Sequence, residues 1–372
     1  MAVKLQQITT LIDKIAPKRL AYKWDNVGLQ VGDYNQTVSK VMLTLDITKE
    51  VLSEAKEEGV DLIIGHHPLI FKGISKIRYN TSIGRLIRDA IKEDISIYIA
   101  HTNYDIGEGG LNDYLAQSLG LTNTDVLQVT AREEMKKVVV FVPKDNLEGV
   151  REVMGRAGAG WIGKYSDCFF AQEGIGSFKA LEGSEPYIGS KGELSEVEEV
   201  RLETIVPNSK LNKVVSKMIK AHPYEEVAYD VYPLDNPGSR FGLGRVGYLD
   251  EAITLREYCQ VVKEELNLDT LRVIGSLDDK IAKVGVCSGS GGDYIKAASF
   301  KGVDVFVTGD IKYHEGQLAQ EEGIALIDAG HYGTEKIVKS AMGEYLNKEI
   351  KSNNFKVEVI ESKVNTDPFV II

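Results

Sequence analysis

The chain has 372 residues, 43% hydrophobic and 27% charged, with 55 acidic against 44 basic side chains and a net charge of −11. That length favours two hydrophobic cores over one, and the composition excludes intrinsic disorder as an account of any long segment. The acidic balance disfavours extended binding to nucleic-acid backbones, no apolar run has the length of a membrane span, and Met1-Ala2-Val3-Lys4 does not open a signal peptide, so a cytoplasmic protein is expected.

In chain order, β-branched runs at residues 40–47, 61–65 and 95–100 are separated by helical patterns at 49–58 and 83–92. This is the βαβ rhythm of an α/β layer. The pattern then changes to strands at 137–142, 168–171, 199–206 and 227–232, helices at 147–155 and 209–221, and a Gly-rich connection at 174–192. The order β-α-β-β-α-β predicts a ferredoxin-like α+β insert, bounded by the polar runs Thr130-Ala131-Arg132-Glu133-Glu134 and Asp235-Asn236-Pro237-Gly238-Ser239. His222-Pro223 ends its second helix, where His222 reads as structural. The first rhythm resumes with strands at 283–286, 303–308 and 324–327 and helices at 293–300, 316–322 and 334–346.

The two outer segments also match each other. Residues 40–61 set over 283–304 place Lys40-Val41 on Lys283-Val284, Ala55 on Ala298 and Gly59-Val60-Asp61 on Gly302-Val303-Asp304. A different offset sets His101-Thr102-Asn103-Tyr104-Asp105 over His331-Tyr332-Gly333-Thr334-Glu335. The expected architecture is α/β: two related halves, 1–129 and 237–372, form one discontinuous domain interrupted by an insert at 130–236.

Chemistry concentrates at predicted strand ends. The run Asp61-Leu62-Ile63-Ile64-Gly65-His66-His67-Pro68 takes a buried strand into two histidines, at the edge where α/β layers place ligands. Adjacent residues of an extended strand face opposite ways, so His66 and His67 suit two ions better than one. His331 and Glu335, four apart, share one face of a helix that starts near His331. Four of the six histidines, His66, His67, His101 and His331, thus lie at strand ends with the carboxylates Asp105 and Glu335 at fixed offsets. The three cysteines are dispersed and form no Cys-x-x-Cys, so a metal would be held by imidazole and carboxylate, a set that suits zinc, iron(II), manganese, cobalt or nickel. Two divalent ions beside two carboxylates leave excess positive charge, which favours an anionic ligand and hydrolytic chemistry.

Gly65-His66-His67-Pro68, His101-Thr102-Asn103-Tyr104-Asp105, Gly330-His331-Tyr332-Gly333-Thr334-Glu335 and Trp24-Asp25-Asn26-Val27-Gly28-Leu29 together resemble the NIF-three-like proteins, also called GTP cyclohydrolase I type 2 homologues. The resemblance runs over the whole chain. Its middle, through Gly158-Ala159-Gly160-Trp161-Ile162-Gly163 and His222-Pro223-Tyr224-Glu225-Glu226, resembles the PII-like or CutA-like insert of the longer bacterial members. The resemblance implies a dinuclear centre, with zinc or iron foremost, on His66, His67, Asp105, His331 and Glu335. It also implies a homohexameric ring and, through the family's name, GTP ring opening. Tyr104 stands where many members carry leucine.

His101 keeps two readings. The internal match equates it with the ligand His331, whereas the resemblance sets it beside the metals, where it is the first candidate for general acid or base. Asp46 and Asp310 are candidates for orienting ligands, His314 for meeting substrate or starting a helix, and Cys287-Ser288-Gly289-Ser290-Gly291-Gly292-Asp293 for an anion loop or a tight turn. The functional expectation is a metal-dependent hydrolase of a nucleotide-like or phosphorylated small molecule. The alternatives are a metal-binding regulatory or assembly protein whose insert senses a small molecule, and a scaffold that binds proteins.

Overall fold

The computed structural model describes residues 2–370. Their contacts form two compact units, one built from the chain up to Ala131 and from Phe241 on, the other from Arg132–Arg240. The structure is mixed α/β with three sheets. Among the described residues, no helix is long and apolar enough to cross a membrane.

The first unit holds a five-stranded and a six-stranded sheet. In the five-stranded sheet the order is Gly28–Val31, Ser96–Ile99, Leu62–Gly65, Lys40–Thr44 and Glu358–Glu361, with the last four parallel and the first antiparallel. Leu62–Gly65 and Ser96–Ile99 are buried at every position, as strands covered on both faces must be. Side chains alternate between the covers. Leu43, Leu62, Ile64 and Tyr98 meet the helices Leu5–Ile15 and Val338–Ser352 on one face, while Met42, Ile63 and Ile97 meet Lys49–Glu57 and Ser82–Lys92 on the other. Thr48 and Thr81 start these last two helices by accepting the Val51 and Gly84 amides.

The six-stranded sheet runs Arg272–Ile274, Ala325–Asp328, Val305–Gly309, Lys280–Ser290, Arg240–Thr254 and Thr122–Arg132. Its second, third and fourth strands are parallel neighbours. Each sheet therefore carries three adjacent parallel strands in the same chain order, and their C-terminal ends carry the candidate site.

The sheets exchange parts. Leu115, Ala116 and Leu119, from and just after the helix Leu111–Ser118, pack in the core of the six-stranded sheet with Leu255, Tyr258 and Val262. Conversely, Val338–Ser352 and Glu358–Glu361 complete the five-stranded sheet. Arg245 pins this exchange. It is 4% exposed, pairs with Asp113 and donates to the carbonyls of Gly107, Gly242 and Gly244.

The second unit has a four-stranded antiparallel sheet in the order Phe169–Lys179, Leu194–Pro207, Met135–Pro143, Tyr229–Leu234. Val138, Val140, Val142, Leu202 and Val206 pack against Val150 and Met154 of Leu147–Ala157 and Val214 and Met218 of Leu211–Ala221. The Gly-rich stretch expected as a connection is in part strand, because Phe169–Lys179 pairs residue for residue with Leu194–Thr204. His222 donates from Nε2 to the Phe141 carbonyl at 2.9 Å and accepts the Tyr224 amide at Nδ1 at 3.1 Å, so both nitrogens are satisfied in the neutral ring.

Two outcomes follow. Asp113→Ala leaves the Arg245 guanidinium buried without its carboxylate and is expected to cost about 3 kcal/mol in urea unfolding; a loss below about 0.5 kcal/mol would show that the pair holds nothing together. Burial pushes the His222 pKa below its ordinary 6.5, against the opposing Phe141 hydrogen bond. The unfolded chain then binds the proton more readily, so this stabilisation is complete above about pH 6.5 and falls as the pH drops towards the lower folded value. Imidazole NMR titration should place His222 below 6.5, and His222→Gln should remove its share of the acid sensitivity.

Candidate metal centre

Three strand ends build the site. His66 and His67 continue the line of Leu62–Gly65, their amides donating to Thr44 O and Leu45 O at 3.1 and 2.8 Å. Asp105 lies on the short helix Thr102–Ile106 after Ser96–Ile99, with His101 at its start. His331 and Glu335 begin and end the short helix His331–Glu335 after Ala325–Asp328. Gly330 makes the turn between them at φ 77°, a region open to glycine. Gly289, at φ 64°, has a second reason to be glycine, because a Cβ there would collide with Glu335 Oε1.

All five expected ligands come together. Nε2 of His67 and of His331 lie 2.9 and 3.0 Å from Glu335 Oε2, and His66 Nε2 lies 3.7 Å from Asp105 Oδ1 and 3.9 Å from Glu335 Oε1. Among the described residues, two groups have the spacing that could hold a metal ion: His66, His67 and His101, and His67, His331 and Glu335. His67 belongs to both. Asp105 stands at the edge of the first group, and Ser288 Oγ donates to it at 3.3 Å. His66, Asp105 and Glu335 are at most 6% exposed, so water does little to screen their charges.

The other nitrogen of each ring is already committed. Nδ1 faces Ala100 O at 2.8 Å in His66, Asp46 at 2.7 Å in His67, Asp25 at 2.9 Å in His101 and Asp310 at 2.7 Å in His331. An acceptor at Nδ1 requires the proton there, so Nε2 of each neutral ring carries a lone pair. Those of His66, His67 and His331 point towards carboxylate oxygens. Lone pair against carboxylate is repulsive unless a cation or a proton lies between them. His66 Nε2 and Glu335 Oε2 have no satisfactory hydrogen-bond partner among the described residues, although both are buried. The donors present therefore fit a divalent ion.

Without a metal, protons take that place. Burial opposes charge on His67, but the Asp46 hydrogen bond and the Glu335 carboxylate hold its pKa up at about 10. Glu335 holds His331 up at about 9 against burial, with Asp310 assisting. Burial raises Glu335 as well, yet the three imidazoles hold it well below the usual carboxylate range. Asp105 is raised by burial, which its histidine neighbours only partly offset.

Some expectations change. Asp46 and Asp310 do hold histidines of the cluster, His67 and His331. His314 faces Gln317 on its own helix and belongs to neither metal group. The Gly-rich loop supports the site instead of offering its first amides to an anion, since Ser288 N donates to Asn112 and Gly289 N to Thr334. Asp25 was not singled out, yet it binds His101 and Thr102 together. Its place inside Trp24-Asp25-Asn26 was the available signal. Burial raises its pKa and the His101 and Thr102 hydrogen bonds more than reverse that.

The model of the family described as Duf34/NIF3 (NGG1p interacting factor 3) matches residues 3–368. The chain is 48% identical over 367 residues to the GTP cyclohydrolase 1 type 2 homolog of Halalkalibacterium halodurans, covering 99% of this chain and 98% of that one. It is 45% identical over 371 residues to the Bacillus subtilis protein of the same description, covering 100% and 99%. Among solved structures, a Bacillus cereus protein related to NIF3 superposes over 100% of both chains with a TM-score of 0.94 at 46% identity. A Staphylococcus aureus protein superposes with a TM-score of 0.78 at 33% identity, over 100% of this chain and 99% of that one.

Glu335→Gln keeps the volume of the side chain and removes the charge on which His67 and His331 converge. In metal-free protein, NMR titration should show His331 falling from about 9 towards its ordinary value, and zinc uptake should weaken by more than about 100-fold, beyond the effect of losing an outer partner. Unchanged titration and uptake would remove Glu335 from the centre.

Proposed function

We propose, taking as premise that the chain belongs to the Duf34/NIF3 family, that it is a metal-dependent hydrolase with a dinuclear centre on His66, His67, Asp105, His331 and Glu335. One observation carries this reading: imidazoles with Nδ1 tied to acceptors turn bare Nε2 atoms towards two buried carboxylates. A bound pair of zinc or iron(II) ions supplies Lewis acidity and makes water nucleophilic at neutral pH.

The chain's own groups do the rest. Asp46, Asp310 and the Ala100 carbonyl fix the ring planes of His67, His331 and His66. His101, held at Nδ1 by Asp25, presents Nε2 as the general acid or base. The substrate is a nucleotide-like or phosphorylated small molecule, the class suggested by the description that the relatives carry. The matching triplets of parallel strands support two related halves. The strand order of the Arg132–Arg240 unit supports a ferredoxin-like insert. A cytoplasmic homohexamer completes the proposal, on family resemblance.

The test is metal analysis of protein purified without added metal, followed by a screen of nucleotides and phosphorylated compounds with and without chelator. Chelation should abolish turnover, and zinc or iron(II) should restore it. His101→Gln should lower kcat by about 10²- to 10⁴-fold with metal content retained. Turnover that persists in Glu335→Ala, in a preparation free of wild-type enzyme, overturns the assignment.

A further inference from the structure

The segment after the strand Glu358–Glu361 is tied down before it reaches the site. Ser362 N donates to Leu43 O at 2.9 Å, extending the pairing with Lys40–Thr44 by one residue. The Ser362 hydroxyl and the Lys363 amide both donate to Glu54, and Lys339 Nζ donates to the Ser362 carbonyl at 2.9 Å. Val364 packs against the apolar cluster that contains Met42, Ile63 and Val51. Two residues on, the Thr366 hydroxyl donates to Asp46 Oδ2, while Oδ1 of the same carboxylate accepts from His67 Nδ1 at 2.7 Å.

We propose that Thr366 is a positioning residue for the candidate metal centre: its hydroxyl fixes the Asp46 carboxylate, and Asp46 fixes the ring of His67. This rests on the metal-centre reading above. A carboxylate held at one oxygen can still swing about its own bonds; held at both, it presents a fixed acceptor to the imidazole. The effect matters most at His67, the one residue common to both metal-holding groups. Asp310, which serves His331 in the same way, is the more exposed of the two carboxylates, 49% against 33%. The strand pair explains how the latch is made, because Asp46 follows Lys40–Thr44 and Thr366 follows its parallel neighbour Glu358–Glu361.

The test is competition for zinc between the full-length protein and a chromogenic chelator, with thermal unfolding of the metal-free protein measured alongside. Thr366→Val keeps the shape and removes the donor, and should weaken zinc binding by about 10-fold, the lower range for an outer partner. Thr366→Ser should restore wild-type affinity, and the d–d spectrum of the cobalt(II)-loaded protein should shift in the valine variant only. In an Asp46→Ala background, which removes both links, Thr366→Val should add nothing, which tests the route through Asp46 even if one single variant folds poorly. Equal zinc affinity in wild type and Thr366→Val, or equal loss in the valine and serine variants, overturns this proposal alone. Wild-type protein that takes up no zinc or iron(II) overturns the metal reading and this proposal with it.

Discussion

An ionised carboxylate cannot remain buried without positive charge close by, and Glu335 is 4% exposed. Its surroundings provide imidazole Nε2 atoms, but each neutral ring keeps its one N–H at Nδ1, where it donates to an acceptor on the far side. The interior is therefore compensated only when protons or metal ions occupy the space between. The rest of the site follows from that need. Gly289 keeps its backbone clear of Glu335, Gly330 turns the chain into the helix that carries it, and Asp105 is held by Ser288 of the strand Lys280–Ser290 and by Asn112 of the helix Leu111–Ser118.

Bringing Glu335 to His66 and His67 requires two sheets to meet at their strand ends. The exchange of helices makes that meeting part of the core. Leu115 and Leu119 cannot leave the six-stranded sheet, nor Met342 and Leu346 the five-stranded one, without exposing buried apolar surface. Arg245 reinforces the junction with a guanidinium that bonds to Asp113 and to three carbonyls. The site geometry is thus held by the interlocked core of the unit, with little left to the loops that carry the candidate residues.

The parallel strands and the cluster of histidines and carboxylates at their ends were legible because each is a local signal. Fully buried strands read as apolar runs, and Gly65-His66-His67-Pro68 and His331-Tyr332-Gly333-Thr334-Glu335 announce polar groups where such runs end. The helix Leu5–Ile15 and the long strands Thr122–Arg132 and Arg240–Thr254 were not read, because their burial is decided by partners distant in sequence. The helix expected over 334–346 is broken instead, with His331–Glu335 and Val338–Ser352 as separate helices. Asp25 and Asn112 were not singled out, and Ser288 was read only within an anion loop or tight turn, for the same physical reason. A side chain that orients a ligand needs only one well-placed oxygen, and spacing along the chain does not reveal where that oxygen lies.

The outer carboxylates also change the electrostatic argument that the ligand residues alone suggest. Two divalent ions would bring four positive charges, against two negative charges from Asp105 and Glu335. Asp25, Asp46 and Asp310 add three more, each one imidazole away from the centre. Hydrogen bonds to these carboxylates make the rings better electron donors and spread the charge over a wider shell. A centre compensated in this way would not need an anionic ligand in order to load metal ions. On the proposed function, metal binding and substrate binding would then be separable steps, and the charge of the substrate would bear on the chemistry and not on whether the centre forms.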